Sequence, residues 1–546
     1  MIMEKGSKNK FFKIVFLLFL IITFILWFKI RIFIADKNNF PDEIDNFTVG
    51  WLMTKGKVLY KDIFVHHFPF MYFLAFFLEL FNHEFITYRF FMVGYSFIFW
   101  IIMLKVLNHQ LRWIILITMI LNAWSLIFYG GHQFASETLF AYSLLGSYLI
   151  FVNKLLYSEK FKFSKTELLL FAWFFITTFF SSIIYFLSFV PLFISYLVKN
   201  RRNFSKTDFK KLSRYFFLPI ILISAIILIY LIFNDTLGEA HWALFVFNKT
   251  SYAQRYSLGT NSFNNFLIKI FDDFANHFYQ LTKNSFPLLL IYFQSLKTNL
   301  ILLVSSGNFE NFKQNLFISH REIFNNLFSF EVFIFLFLIV GLLTFIKQKK
   351  YPAALLTLFF TLSVRLRYGE LFHISSYYLF SFFLIAFALN HTIQNAFRKK
   401  AIWFLIPLSL VTLYYFKMKP EFKIRTSYDL KDEHPILTQF VKDNTKIEDK
   451  IFQINIGSSL YYLSERQPSN RFIFYYPWVD WTPKLEKEAL DNLKTQQPKL
   501  VLVNNESIKF SQTSYQNSYL QLLEYLNQYY NQKTTSTNTI SIFSRE

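Results

Sequence analysis

The stretch NNFPDEIDNFTVGWLMTKGKVLYKDIFVHHFPF, residues 38–70, separates the first apolar run of the chain from the next. It places three carboxylates, Asp42, Glu43 and Asp45, directly beside a membrane-sized segment. Upstream, the basic sequence MIMEKGSKNKFFK leads into an apolar run over residues 11–34. That run is long enough to cross a hydrocarbon core of about 30 Å, and no small-residue cleavage site follows it. It reads as an uncleaved first helix with its N-terminus inside, which puts residues 35–67 at the opposite membrane surface.

The rest of the chain fits a membrane setting. Of 546 residues 54% are hydrophobic and 22% aromatic, too apolar for an ordinary soluble protein. Phe occurs 76 times beside abundant Lys, Asn and Ile, a pattern that codon bias also produces, so no Phe cluster is read as a ligand box. Further apolar spans fall near 88–107, 112–130, 134–155, 167–181, 182–198, 215–234, 328–346, 352–366, 372–390 and 401–416. The expectation is a polytopic α-helical protein with about eleven spans. The count requires 68–82, FPFMYFLAFFLELFN, to lie in the interface, and the stretch near 286–304 not to cross.

A formal net charge of +21 would suggest nucleic acid in a soluble protein. Alternating the spans from an inside N-terminus accounts for it differently. VLNHQLR, YSEKFKFSKTE, VKNRRNFSKTDFKKLSR, IKQKK and NAFRKK all fall on the cytoplasmic side, as the positive-inside rule asks. No nucleic-acid partner is then needed. The chain has no Cys, which excludes disulfides and thiolate metal sites.

From residue 417 the composition turns polar. HPILTQFVKDN reads as a helix, DKIFQINI and RFIFYY as strands, LEKEALDNLKTQ as a helix, PKLVLVNN as a strand, SYLQLLEYLNQYY as a helix and TISIFSR as a closing strand. The expected organisation is a transmembrane domain over 1–416, with external loops at 35–87 and 235–327, and a small extracytoplasmic α/β domain over 417–546.

PDEID has two readings. Pro41 at the first helical position with acids in the first turn favours a helix start through the dipole. Alternatively, Asp42 or Glu43 is a general base that takes a proton from an acceptor hydroxyl or amine while a phosphate leaves. The order of the elements after it resembles the first external loop of the GT-C glycosyltransferases, in the branch of the protein O-mannosyltransferases and lipid A aminoarabinose transferases. The matching pieces are Asp42-Glu43, Gly56, Tyr60-Lys61-Asp62 and His66-His67-Phe68-Pro69. Arg89 in ITYRFFMVG, Glu137 in GGHQFASETLFAY and RYGELFHISSYYLF extend the likeness. The second motif departs from it, with HHFPF where the family has His-Pro-Pro, which leaves the subfamily and the sugar open.

The resemblance implies a polyprenyl-phosphate sugar donor with its lipid tail between helices, membrane lipids around it, and a glycan, lipid or protein acceptor. It also implies transfer with inversion on the external face of the membrane, with a prokaryotic plasma membrane as the expected setting. Asp42 is then the leading base, Glu43 its neighbour and Glu137 a second acid that positions the acceptor. The leaving phosphate needs cations, because its charge develops in a poorly hydrated site. Arg365 and Arg367 with His373 are the leading set, joined by Arg89, whereas an Arg or Lys at a helix end also snorkels to headgroups. Tyr60, Asp62, His66 and His67, with Lys249, Tyr252, Arg255 and Tyr256 of the long loop, are substrate-contacting or loop-structuring candidates. Trp242 and His241 are either a sugar platform or an interfacial anchor. His66 and His67 with Asp62 are also types that bind a divalent metal, but adjacent His side chains rarely both reach one ion, and no cofactor is firmly implied. A rival class is a transporter or flippase of lipid-linked saccharides, which places ionisable groups mid-span rather than at helix ends. A third is an inactive scaffold of the same fold, against which Asp42 and Glu43 speak.

Overall fold

The computed structural model describes residues 5–252, 339–364, 375–387, 423, 434–474, 483–505, 516–533 and 540–545, apart from 39, 159–160, 201–204, 340 and 377. It is mostly helical, with a small mixed sheet near the C-terminus. The long helices are α1 (Lys5–Ala35), α4 (Phe85–Val106), α5 (His109–Tyr129), α6 (Ser136–Tyr157), α7 (Lys165–Phe179) and α10 (Lys206–Phe233). Between them come α2 (Pro41–Thr54), α3 (Phe70–Glu79), the short α8 (Ile183–Phe186) and α9 (Val190–Asn200). After α10 follow α11 (Leu237–His241), which continues in wider turns over Trp242–Tyr252, then α12 (Tyr351–Val364) and α13 (Tyr378–Phe387). Among the described residues four helices, α1 over Phe16–Ala35, α4, α6 and α10, are long and apolar enough to cross a membrane. These make the chain an integral membrane protein.

Hydrogen bonds between connectors fix which helix ends share a face. At one face the Asn108 backbone N–H reaches Asn153 Oδ1 at 3.0 Å, Lys154 pairs with Glu167 at 2.9 Å and Lys162 with Asp208 at 2.9 Å. The ends of α4, α6 and α9 and the starts of α5, α7 and α10 therefore meet there. At the other face Phe70 N–H donates to Phe180 O at 3.2 Å and Leu59 N–H to the Tyr230 hydroxyl at 3.1 Å. The ends of α1, α5, α7 and α10 thus gather with α2 and α3. The helices run back and forth between a face carrying Lys154 and Lys162 and a face carrying α2.

Residues 68–82 do not cross. The start of α3 is tied to Phe180, and Glu79 at its end meets Tyr88 and Tyr462, so the helix runs along the α2 face. It packs against α2 at close range. A Cβ on Gly50 would come within 2.6 Å of the Ala75 backbone, so only glycine permits this approach. The stretch at 286–304 and the span expected at 401–416 lie outside the described residues, and 328–346 lies mostly outside them.

The C-terminal unit contains α14 (Pro435–Asn444), α15 (Ser459–Ser464), α16 (Pro483–Gln496) and α17 (Gln516–Tyr529) around strands β1 (Ile451–Ile454), β2 (Leu500–Asn504), β3 (Asn531–Lys533) and β4 (Ile540–Ser544). The sheet order is β1-β2-β4-β3, with β1 parallel to β2 and the other two pairs antiparallel. Three of the four expected strands are present. The fourth, RFIFYY, is irregular over residues 471–474. Its backbone is used otherwise: Arg471 O accepts from Phe64 N–H at 2.7 Å and Ile473 O from Gln453 Nε2 at 3.0 Å. The unit sits on the α2 face, with Thr48 Oγ1 donating to Ser458 O at 3.1 Å and Arg471 paired to Glu239 at 3.1 Å.

Candidate active site

The α2 helix starts as its sequence asks. Phe40 precedes it without a side-chain cap, Pro41 opens it, and Asp42 and Glu43 occupy the first turn. Consecutive helical residues lie about 100° apart, so the two acids face different surroundings. Asp42 is exposed and Glu43 fully buried.

Glu43 is paired with Arg89, whose Nε and Nη2 both donate to its carboxylate, the latter at 2.5 Å. The Phe134 backbone N–H adds a third bond at 2.6 Å. The rest of the Arg89 guanidinium reaches Ala35 O at 3.3 Å, Lys37 O at 2.9 Å and Asn38 O at 2.7 Å. His132 Nε2 also donates to Lys37 O at 3.0 Å. One ion pair therefore fastens four elements: the turn after α1, α2, α4 and the α5–α6 connector. Burial, and then the charge of Arg89, hold the His132 imidazole well below its usual range, so it is neutral here.

The other carboxylates of this face have distinct settings. Glu137 is buried in the first turn of α6 and accepts from Ser136 Oγ at 2.8 Å. Asp45 accepts from Ser458 Oγ of the C-terminal unit at 2.5 Å. Burial, partly offset by that bond and reinforced by the charge of Asp42, pushes its carboxyl up to about 8. Tyr72 of α3 marks where these groups converge. Its hydroxyl is pushed up first by burial and then by Tyr60, Asp45, Asp42 and Glu137. Sequence reasoning did not single out Tyr72; among 32 tyrosines, one in an apolar helix carries no distinguishing signal.

Tyr60-Lys61-Asp62 forms a tight turn. Tyr60 adopts a left-handed backbone with φ +70, Asp62 Oδ2 accepts from Val58 N–H at 2.9 Å, and the Tyr60 hydroxyl donates to His67 O at 3.0 Å. His66 is buried against Phe247 and Phe474, while His67 is exposed. Among the described residues no three His, Asp or Glu side chains gather into a metal-holding group. Lys249 is exposed on the wide-turn helix, and Tyr252 lies in the same element. Trp242 carries Lys484 Nζ of the C-terminal unit over its ring at 4.4 Å. Arg255, Tyr256, Arg365, Arg367 and His373 lie outside the described residues.

No family model and no curated protein matches the chain. Solved structures do. One is the Archaeoglobus fulgidus oligosaccharyltransferase in complex with Zn and sulfate, at TM-score 0.50 and 14% identity over 96% of this chain and 73% of that one. Another is the archaeal oligosaccharyltransferase AglB from Archaeoglobus fulgidus, solved with an inhibitory peptide and a dolichol-phosphate. It aligns at TM-score 0.52 and 13% identity over 98% of this chain and 75% of that one. ArnT from Cupriavidus metallidurans, bound to undecaprenyl phosphate, aligns at TM-score 0.42 and 10% identity over 97% of both chains. At such identities the likeness is one of fold: the chain has a fold like that of these two archaeal oligosaccharyltransferase structures.

Proposed function

We propose that the chain is an inverting membrane glycosyltransferase that moves a hexose or pentose from a polyprenyl-phosphate donor to a glycan, lipid or protein acceptor of the cell envelope. The observation that carries this reading is the arrangement of the α2 face. Glu43 and Arg89 neutralise each other inside a fixed loop, and Asp42, next to Glu43, presents its carboxylate at the surface. In the reaction, Asp42 accepts the proton of the acceptor hydroxyl or amine as that atom attacks the anomeric carbon. The bond from the anomeric carbon to the phosphate oxygen breaks, and polyprenyl phosphate leaves with the electron pair.

Glu43 and Arg89 are positioning residues in this scheme, since the N–H groups of Arg89 point at Glu43 and the loop carbonyls. Contact with the leaving phosphate is assigned to Arg365, Arg367 and His373. Glu137 and the Tyr72 hydroxyl flank the acceptor. The concentration of Lys and Arg at the opposite face supports a cytoplasmic N-terminus and an external α2 face with residues 417–546 on it. A transporter of lipid-linked saccharides is the alternative; the acids in the first turns of α2 and α6 favour the transferase.

Asp42→Asn, given a polyprenyl-phosphate sugar in a membrane preparation, should lower transfer by about 10²–10⁴-fold with unchanged expression and melting temperature. Undiminished transfer by that variant overturns the mechanism.

A further inference from the structure

The seam between α1 and α4 carries a set of polar groups that the proposed reaction does not use. Thr23, Trp27 and Arg31 follow one another at four-residue intervals, so they form one stripe along α1. Each is fully buried within the bundle. Among the described residues, Arg31 Nη2 donates to Ser96 Oγ at 3.2 Å, but its Nε and Nη1 have no hydrogen-bond partner. Neither has the Trp27 indole N–H, nor the Thr23 hydroxyl. The same holds on α4 for the indole N–H of Trp100, one turn beyond Ser96 and also fully buried. Because α1 and α4 are antiparallel and Arg31 is level with Ser96, Trp27 is level with Trp100.

These groups are biased in one direction. A guanidinium and an indole N–H donate and never accept, so what satisfies them must be an acceptor. A buried guanidinium without a counter-charge is strongly disfavoured at membrane depth. Among the described residues, the groups around Arg31 are Tyr142, Tyr129, His132 and Arg89, two phenols, an imidazole and a cation, and its guanidinium carbon lies 5.8 Å from the Trp27 ring centroid. Arg89 has its own carboxylate in Glu43, whereas Arg31 has none among them.

We propose that the α1–α4 seam is a binding site for one small monovalent anion of halide size, held by Arg31 with the Trp27 and Trp100 indole N–H groups. A single negative charge neutralises the single guanidinium, whereas a phosphate dianion would leave a net charge buried in the bundle. The site lies deeper than the Glu43–Arg89 pair and is separate from the proposed chemistry.

The test uses the purified full chain in lipid nanodiscs, with thermal unfolding followed in sodium chloride and in sodium gluconate at equal ionic strength. Chloride should raise the midpoint saturably by about 2 °C or more. Bromide should replace it. Trp100→Phe, which keeps the ring and removes the N–H, should raise the half-saturating chloride concentration about fivefold. Arg31→Met should abolish the chloride response. Equal midpoints of the unmodified chain in chloride and gluconate would overturn the proposal, since water would then suffice for these donors. A response to added undecaprenyl phosphate but not to chloride would overturn it equally.

Discussion

Arg89 and Arg31 lie on neighbouring helices and are both wholly buried, yet their surroundings are opposites. Arg89, near the start of α4, meets a carboxylate and three backbone carbonyls and organises the loops around it. Arg31, near the end of α1, meets one serine hydroxyl that already donates to the α4 backbone. The first guanidinium is a structural rivet made entirely from this chain. The second is matched by no carboxylate among the described residues, which is why it is proposed as part of a site. Burial of a cation therefore says nothing of its role until its acceptors are counted.

Paired substitutions test that contrast most strongly. Arg89→Met leaves Glu43 buried without its cation and should destabilise the protein by about 3–5 kcal/mol. Arg31→Met orphans no carboxylate and should cost much less in chloride-free buffer. Unfolding midpoints of the two variants measure the difference, and a larger loss at Arg31 would reverse the comparison. At the α2–α3 contact, Gly50→Val pushes a side chain into the Ala75 backbone and should cost about 1–3 kcal/mol, with a matching loss of transfer as α2 shifts.

A further effect concerns pH. The Asp45 carboxyl is raised to about 8, above its unfolded value near ~3.9, so the folded state binds more protons between these limits. Stability from this group is fully present below about pH 4 and is lost as pH rises toward 8. Asp45→Asn should flatten that slope, read as the melting temperature against pH. An unchanged slope would remove Asp45 from the docking of Ser458. His83, between α3 and α4, behaves in the same sense. Burial disfavours its charge, but the bond to Glu79 outweighs that and raises its pKa, so its contribution is also lost as pH rises.

Much of this architecture was legible in the sequence. Apolar length and the Pro41-Asp42-Glu43 start each reflect a local rule and recur in the described residues, where four helices, fewer than the eleven spans expected, are long and apolar enough to cross a membrane. What could not be read were partnerships across the fold. Glu43 and Arg89 lie 46 positions apart, and no periodicity links them. Arg31 disappeared into an apolar run, because a hydropathy reading averages over the one residue that breaks the pattern. RFIFYY has the composition of a strand, but Arg471 draws it into the loop through Glu488, Glu239 and Tyr60 O, and tertiary contacts override the propensity. The strand β3, Asn-Gln-Lys, is polar throughout and carries no strand signal.

The tie between Thr48 and Ser458 has a consequence for biosynthesis. The two residues are 410 positions apart. At the usual pace of synthesis the α2 loop waits about 20–80 s after leaving the ribosome before its partner exists. During that interval α1 through α10 can insert and assemble while the loop is still without its cover. A nascent chain stalled before Ser458 would therefore carry the α2 face without its C-terminal cover.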